Sequence, residues 1–193
     1  FRDYYAKAAQ AGDSVVTITI SSALSSLIQS AQLGARMAGF TDGYIIDSYQ
    51  ASLSQQLQVR RAVRLRDEGA SAAEIAMHLE REKRHVHLLG MLGLKPLIEI
   101  NGKVCAVGKA RGWAAACAAI IKRLEGKGGL DPKREYMLGY SVDPHEVDLL
   151  QKYITETLGL PPAEVGQIGA AVGTHVGPGT FGIVFYDNQP DDF

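Results

Sequence analysis

A chain of 193 residues that is 46% hydrophobic and 21% charged can bury a substantial core in one or two domains, which excludes disordered, fibrous and collagenous classes. Its 20 Lys and Arg nearly balance 21 Asp and Glu, so no whole-chain field draws nucleic acid or an anionic membrane. The two cysteines, Cys105 and Cys117, stand in apolar and alanine-rich runs and read as small buried hydrophobes, which makes a reducing, cytoplasmic setting the default. No apolar run reaches the roughly 18 to 20 residues of a spanning helix, and the opening "FRDYYAKAAQAGDS" lacks the order of a signal peptide.

In chain order, "SVVTITI" (14–20) is β-branched and predicts a strand. "SSALSSLIQSAQLGARMAGF" (21–40) predicts a helix opened by capping serines and stopped at Gly39. A second strand, "GYIIDS" (43–48), and a second helix (51–69) follow, and this alternation implies a parallel, right-handed α/β layer. Ser71 to Glu74, "SAAE", is a capping box that starts a third helix. The second half differs. Asn101-Gly102 between the apolar runs of 95–107 predicts a hairpin, hence an antiparallel pair. A helix (109–125), a strand (134–142), a helix (144–159), a strand "EVGQIGAAV" (164–172) and a strand "FGIVFY" (181–186) complete the pattern, with Trp113 and "AAACAAII" read as core. The reading is α/β with two domains. A parallel α/β N-terminal domain (1–87) is followed by a mixed-sheet C-terminal domain (88–193) that contains the hairpin.

Several groups could carry chemistry. "GTHVGPGTFG" (173–182) contains G-x-G-x-x-G at Gly177, Gly179 and Gly182, but these glycines lead into a strand rather than a helix N-terminus, and Pro178 removes an amide. Phosphate binding is therefore disfavoured. His175, among small residues at a strand end, either donates to an anion in a crevice or satisfies backbone groups in its loop. Ser21, Ser22, Ser25 and Ser26 stand at a strand-to-helix junction, where hydroxyls and free amides suit a carboxylate or phosphate, although N-capping alone explains one or two of them. Asp47 and Ser48, at the end of the next strand, are again a cap or site groups. His85 and His87 would share one face of a strand, but no third ligand at metal spacing accompanies them, so no metal is expected. A serine of the 21–26 cluster with His175 as base would make a small esterase or acyltransferase, against which stands the lack of a G-x-S-x-G elbow.

"GTHVGPGTFGIVFY" resembles the closing signature of the DegV family, bacterial fatty-acid-binding proteins of the type that forms the B subunit of fatty acid kinase. Ile20, Ser21, Ser22, Leu24 and Ser25, followed by Gln29-Ser30-Ala31, are similar to that family's I-S-S-x-L-S element. "IIDS" (45–48), "LLGMLGLKPLIEINGKV" (88–104) and Lys109 to Gly112 are similar to further blocks in the same order. The resemblance implies two α/β domains with a long-chain fatty acid buried between them. Its carboxylate would be held by Ser21 or Ser22 and by His175, with Thr174, Ser25, Asp47 and Ser48 as further site groups. It implies a cytoplasmic carrier without turnover or cofactor. That carrier presents the acid to a separate ATP-dependent kinase for acyl-phosphate formation on the way to phospholipid, which leaves room for transient membrane contact. A third alternative is a regulatory or interaction module with a vestigial site. The chain departs from the family in three places. The family's first strand, Asp-Ser motif and Thr/Ser loop have no counterpart. A Gly-Gly-Arg element before "LLG" is missing, with "HVH" running straight into "LLGML". "SSLIQ" stands for S-G-T-Y-Q. These departures imply a missing N-terminal segment and a missing internal segment near 87–88.

Overall fold

The computed structural model describes residues 1–93 and 96–189; Leu94 and Lys95, which fall in the stretch before the predicted hairpin, lie outside the described residues. The chain opens on a helix the periodicity did not announce, α1 (Arg2–Ala11), which buries Tyr5 against Phe40 at a ring separation of 5.4 Å. β1 (Val15–Thr19) and β2 (Gly43–Asp47) pair in parallel, as the strand-helix-strand alternation requires. Between them α2 spans only Leu27–Ala38, because residues 21–26 form a turn instead of the first helical turn. Gly39, left-handed at φ 62°, ends α2 where expected.

α3 (Leu53–Asp67) and α4 (Ala72–Glu82) complete the first layer. The capping box is formed as read: the Glu74 amide donates to Ser71 Oγ at 3.3 Å, and the Ser71 amide donates to Glu74 Oε2 at 2.8 Å. Ser71→Ala is expected to lower stability by about 1 kcal/mol, measured as a drop in the urea midpoint.

The larger sheet has six strands in the order β5-β4-β3-β8-β6-β7. Its members are β3 (Val86–Met91), β4 (Pro96–Asn101), β5 (Lys103–Lys109), β6 (Met137–Tyr140), β7 (Glu164–Gln167) and β8 (Phe181–Tyr186). Only β6 and β7 pair in parallel, so the sheet is mixed, and β4 and β5 are the hairpin turned at Gly102. β3 spans 87–88 and pairs with β4 and β8, so His87 belongs to this sheet.

β8 lies in the middle and is buried along its whole length, which explains its uninterrupted apolar run. Phe181, Ile183 and Phe185 face α5 (Trp113–Glu125) and α6 (Asp148–Leu158), in a core with Ile120, Leu150 and Ile154. Val184 and Tyr186 face the other way, onto Leu53 and Leu57 of α3. The far side of α3 packs Leu65 with Ile46, Ile75 and Leu79, so this one helix joins the two sheets.

Three expectations need correction. The stretch 164–172 is not one strand: β7 stops at Gln167, and α7 (Ala170–Val176) follows, so His175 sits on a helix rather than in a strand-to-strand loop. Trp113 is not core; it is 40% exposed, and its Nε1 donates to the Glu146 carbonyl at 2.6 Å. Cys105 is only half-buried on β5, whereas Cys117 is buried, and desolvation pushes its thiol up to about 11.

Candidate functional site

A cavity opens between the start of α3, the helix α7 and the face of the larger sheet that α3 covers. Ala51, Leu53, Leu88, Ile98, Val172 and Val176 form much of its wall, and among the described residues Ser52 and Thr180 supply its side-chain hydroxyls. The sequence arranges this locally. Val172 and Val176 stand four apart on α7 and so share one face. Thr180 is buried; its Oγ1 donates to the Val176 carbonyl at 2.9 Å and accepts the Gly93 amide at 3.3 Å, which moors the end of α7 to the end of β3. Ser52, the N-cap of α3, has φ 55° and ψ −130°, an unusual conformation for a residue with a side chain, and makes no capping hydrogen bond. The first amides of α3 thus meet the cavity edge without a side-chain cap.

The residues singled out in the sequence do not converge into one hydrogen-bonded set. Ser21 is 1% exposed, and its hydroxyl donates to the Gly102 carbonyl at the hairpin turn. The Gly102 amide donates to the Tyr49 carbonyl at 2.7 Å, so this turn is clamped to the ends of β1 and β2. Ser22 is exposed; its amide donates to Asp47 Oδ1 at 3.2 Å, and the same oxygen accepts the Tyr49 amide at 3.1 Å. The amide at this turn is therefore held by the chain's own carboxylate, while the Ser22 hydroxyl has no partner among the described residues. Ser25 Oγ accepts the Leu27 amide at 3.3 Å, as a turn residue before α2. Ser48 is fully buried and bonds within its own loop to the amide and carbonyl of Gln50. Thr174 Oγ1 donates to the Ala171 carbonyl at 3.0 Å. His175 is exposed on the last turn of α7, on the helix whose Val172 and Val176 wall the cavity, and no side chain among the described residues bonds its ring. A serine hydroxyl bonded to His175, as a hydrolase dyad needs, is not formed among the described residues.

The glycine pattern does lead into β8, with Gly177 capping α7 at φ 79° and Gly179 at φ 74°. That geometry serves the turn from α7 into the sheet and offers no helix N-terminus to a phosphate.

A family model with the description "Uncharacterised protein, DegV family" matches residues 1–90 and 85–188. The chain belongs to the DegV family. A DegV family protein from Thermus thermophilus whose solved structure is described for its fatty acid binding is 30% identical. It superposes with a TM-score of 0.83, over 96% of this chain and 75% of that one. A DegV lipid binding protein from Thermotoga maritima shares the fold, with a TM-score of 0.84 at 21% identity over 97% of this chain and 74% of its own. A DegV domain-containing protein of Deinococcus radiodurans is 27% identical over 207 residues, 95% of this chain and 73% of its own length.

Within this DegV chain, polar groups that motif reading passed over or left without a role hold the layers together. His85 Nδ1 and His87 Nε2 meet the two oxygens of Asp187, at 2.9 and 2.7 Å. Their shared face is thus explained by a carboxylate beyond β8. Burial works to raise the Asp187 carboxyl, but the hydrogen bonds from His87, His85 and the Gln189 amide outweigh it and hold it below the ordinary value. Glu82 takes Arg61 and Arg134 in the same manner, joining α4 and α3 to the segment before β6. The only sequence signal for these pairings was the presence of the charges, because their partners lie tens of residues away.

Proposed function

We propose that this chain binds one long-chain fatty acid, with the acyl chain in the cavity under α7 and the carboxylate at the surface beside His175 and Ser22. The observation that carries the reading is a single helix that walls an apolar cavity with Val172 and Val176 and carries an exposed imidazole at position 175. An acyl chain gains about 0.8 kcal/mol per buried methylene, and an imidazole with a hydroxyl suits the carboxylate. Ser22 is preferred to Ser21, whose hydroxyl is spent on Gly102. The fatty acid binding described for the Thermus thermophilus relative supports the same ligand.

The cavity is about 50 Å³, smaller than the roughly 150 Å³ of an apolar cavity that takes up benzene. Entry therefore requires the cavity to widen, and α7, a seven-residue helix with no buried residue, is the wall least held by packing. With its carboxylate at the surface the acid is open to a second protein, and we assign that role to an ATP-dependent fatty acid kinase that forms the acyl phosphate. The chain itself acts without turnover or cofactor.

His175→Ala and Ser22→Ala test this directly. Both side chains are exposed, so the urea midpoint should hold, while fatty-acid affinity falls by about tenfold or more through loss of a hydrogen bond to a charged group. Native mass spectrometry and titration with oleate and palmitate provide the readout. A parent protein that neither carries fatty-acid mass nor binds the added acids rules out the carrier. Unchanged affinity in both variants places the carboxylate elsewhere.

A further inference from the structure

Four glycines form one transverse row in the larger sheet. Gly90 on β3 pairs with Gly182 on β8, Gly182 with Gly139 on β6, and Gly139 with Gly166 on β7. Residues paired across neighbouring strands project to the same face. Here that is the α3 face, because a Cβ on Gly139 would stand 2.5 Å from Leu53 Cδ1, and one on Gly166 would stand 3.1 Å from Leu53 Cδ2. None of the four has a positive φ, so the backbone conformation does not call for glycine, and glycine inside a strand weakens it. Gly182 is accounted for by close strand approach, with its Cβ position 2.3 Å from the Leu89 carbonyl oxygen. Gly139 and Gly166 have no such reason, since what crowds them is the Leu53 side chain together with Glu164 and Ile168 side-chain atoms.

The result is a band free of side chains across four strands, about 14 Å from end to end at three strand spacings. Ile98, paired with Gly90 on β4, stands at one end. The cavity lies over Gly90, Gly182 and Gly139, and Leu53 bounds it where the row continues to Gly166. The trough is thus longer than the cavity, and Leu53 lies nearest over the difference, with Ile168 beside Gly139 and the Glu164 carboxylate beside Gly166.

We propose that the glycine row is the floor of the acyl channel and that Leu53 is its end wall, the residue that sets how long an acyl chain the protein accepts. This rests on the fatty-acid reading above and names its specificity determinant. Leu53 stands on the first turn of α3, directly after the unusual backbone of Ser52, so its placement is fixed by the entry of that helix.

Equilibrium titrations of the parent and variants with laurate, myristate, palmitate, stearate and arachidate separate the two ideas. Leu53→Ala is expected to move the optimum to a longer acid, each newly accommodated methylene tightening binding roughly fourfold. Gly166→Ala puts a methyl 3.1 Å from Leu53 Cδ2, against side-chain atoms only, and by pressing Leu53 toward the cavity should shorten the optimum while sparing the fold. It also keeps the question answerable if Leu53→Ala fails to fold, because an optimum that holds or lengthens in Gly166→Ala contradicts the end wall. A Leu53→Ala protein that folds and loses affinity equally for every acid overturns the end-wall role and leaves fatty-acid binding intact. A parent that binds none of the five acids removes both.

Discussion

Gly182→Ala is expected to be among the most damaging single substitutions in this chain, lowering stability by about 3 kcal/mol or more, at or beyond the upper end of overpacking costs. The added Cβ would lie 2.3 Å from the Leu89 carbonyl oxygen, 2.8 Å from the Gly90 Cα and 3.1 Å from the Leu89 carbonyl carbon. All three are backbone atoms of β3, so no rotamer change relieves the contact. The strands themselves must separate, and β8 is the strand to which both β3 and β6 are hydrogen-bonded. Gly90→Ala is the matched control in the same row, since its Cβ would come no nearer than 3.3 Å to any atom. Urea unfolding of the two variants should show a large loss for Gly182→Ala and a small one for Gly90→Ala. Equal midpoints would mean the sheet yields more readily than its geometry allows.

Glu82→Gln should cost about 3 kcal/mol at neutral pH, the low end for breaking a buried ion pair, because the arginines it leaves behind keep some contact with solvent. The Glu82 side chain is 6% exposed, and it accepts from Arg134 at 2.8 and 3.1 Å and from Arg61 at 3.2 and 3.3 Å. Burial works to raise its carboxyl, but the hydrogen bonds from Arg134 and then Arg61, with the charge of both guanidinium groups, hold it below the ordinary 4.5. A carboxyl depressed in the folded state stabilises above its unfolded value. That contribution disappears as pH falls through the folded one. The gap between parent and Glu82→Gln should therefore be full at pH values above 4.5 and narrow progressively below it. Taking the difference between the two proteins isolates this group from Glu99, Glu135 and Asp187, whose carboxyls are also held low by cationic or histidine partners. A gap that stays constant with pH would show that the charge of Glu82 is not what joins α4 to the larger sheet.

Much of the fold is written locally. The β-branched and apolar strand runs, the helical periodicities of α3 to α6, the Ser71–Glu74 box, the left-handed stop at Gly39 and the turn at Gly102 all rest on interactions within a few residues. α7 escaped that reading because "GAAVGTHVG" combines glycines with β-branched residues and has little helical propensity. What supports it is tertiary: Val172 and Val176 face the cavity, and Thr180 holds the Val176 carbonyl. α1 was equally unmarked, and its one buried residue, Tyr5, gains its role from Phe40 and from Thr17, whose hydroxyl lies 2.7 Å away.

For the candidate site, the serine and histidine blocks identified the family, but residue type alone did not separate Ser21 from Ser22. The difference lies in a hydrogen bond from Ser21 to Gly102, 81 positions along the chain. By itself the sequence determined most element types, cap residues and an α/β class with a mixed second sheet, because these follow from periodicity and short-range hydrogen bonding, and its serine and histidine blocks pointed to the family. Only the tertiary structure decided that His175 rides on a helix, that Leu53 lies over the glycine row, and that Gly90, Gly182, Gly139 and Gly166 stand in line. Strand register between distant segments sets those relations. No local pattern encodes it, since each of these glycines meets its neighbour in the row only after the whole sheet has formed.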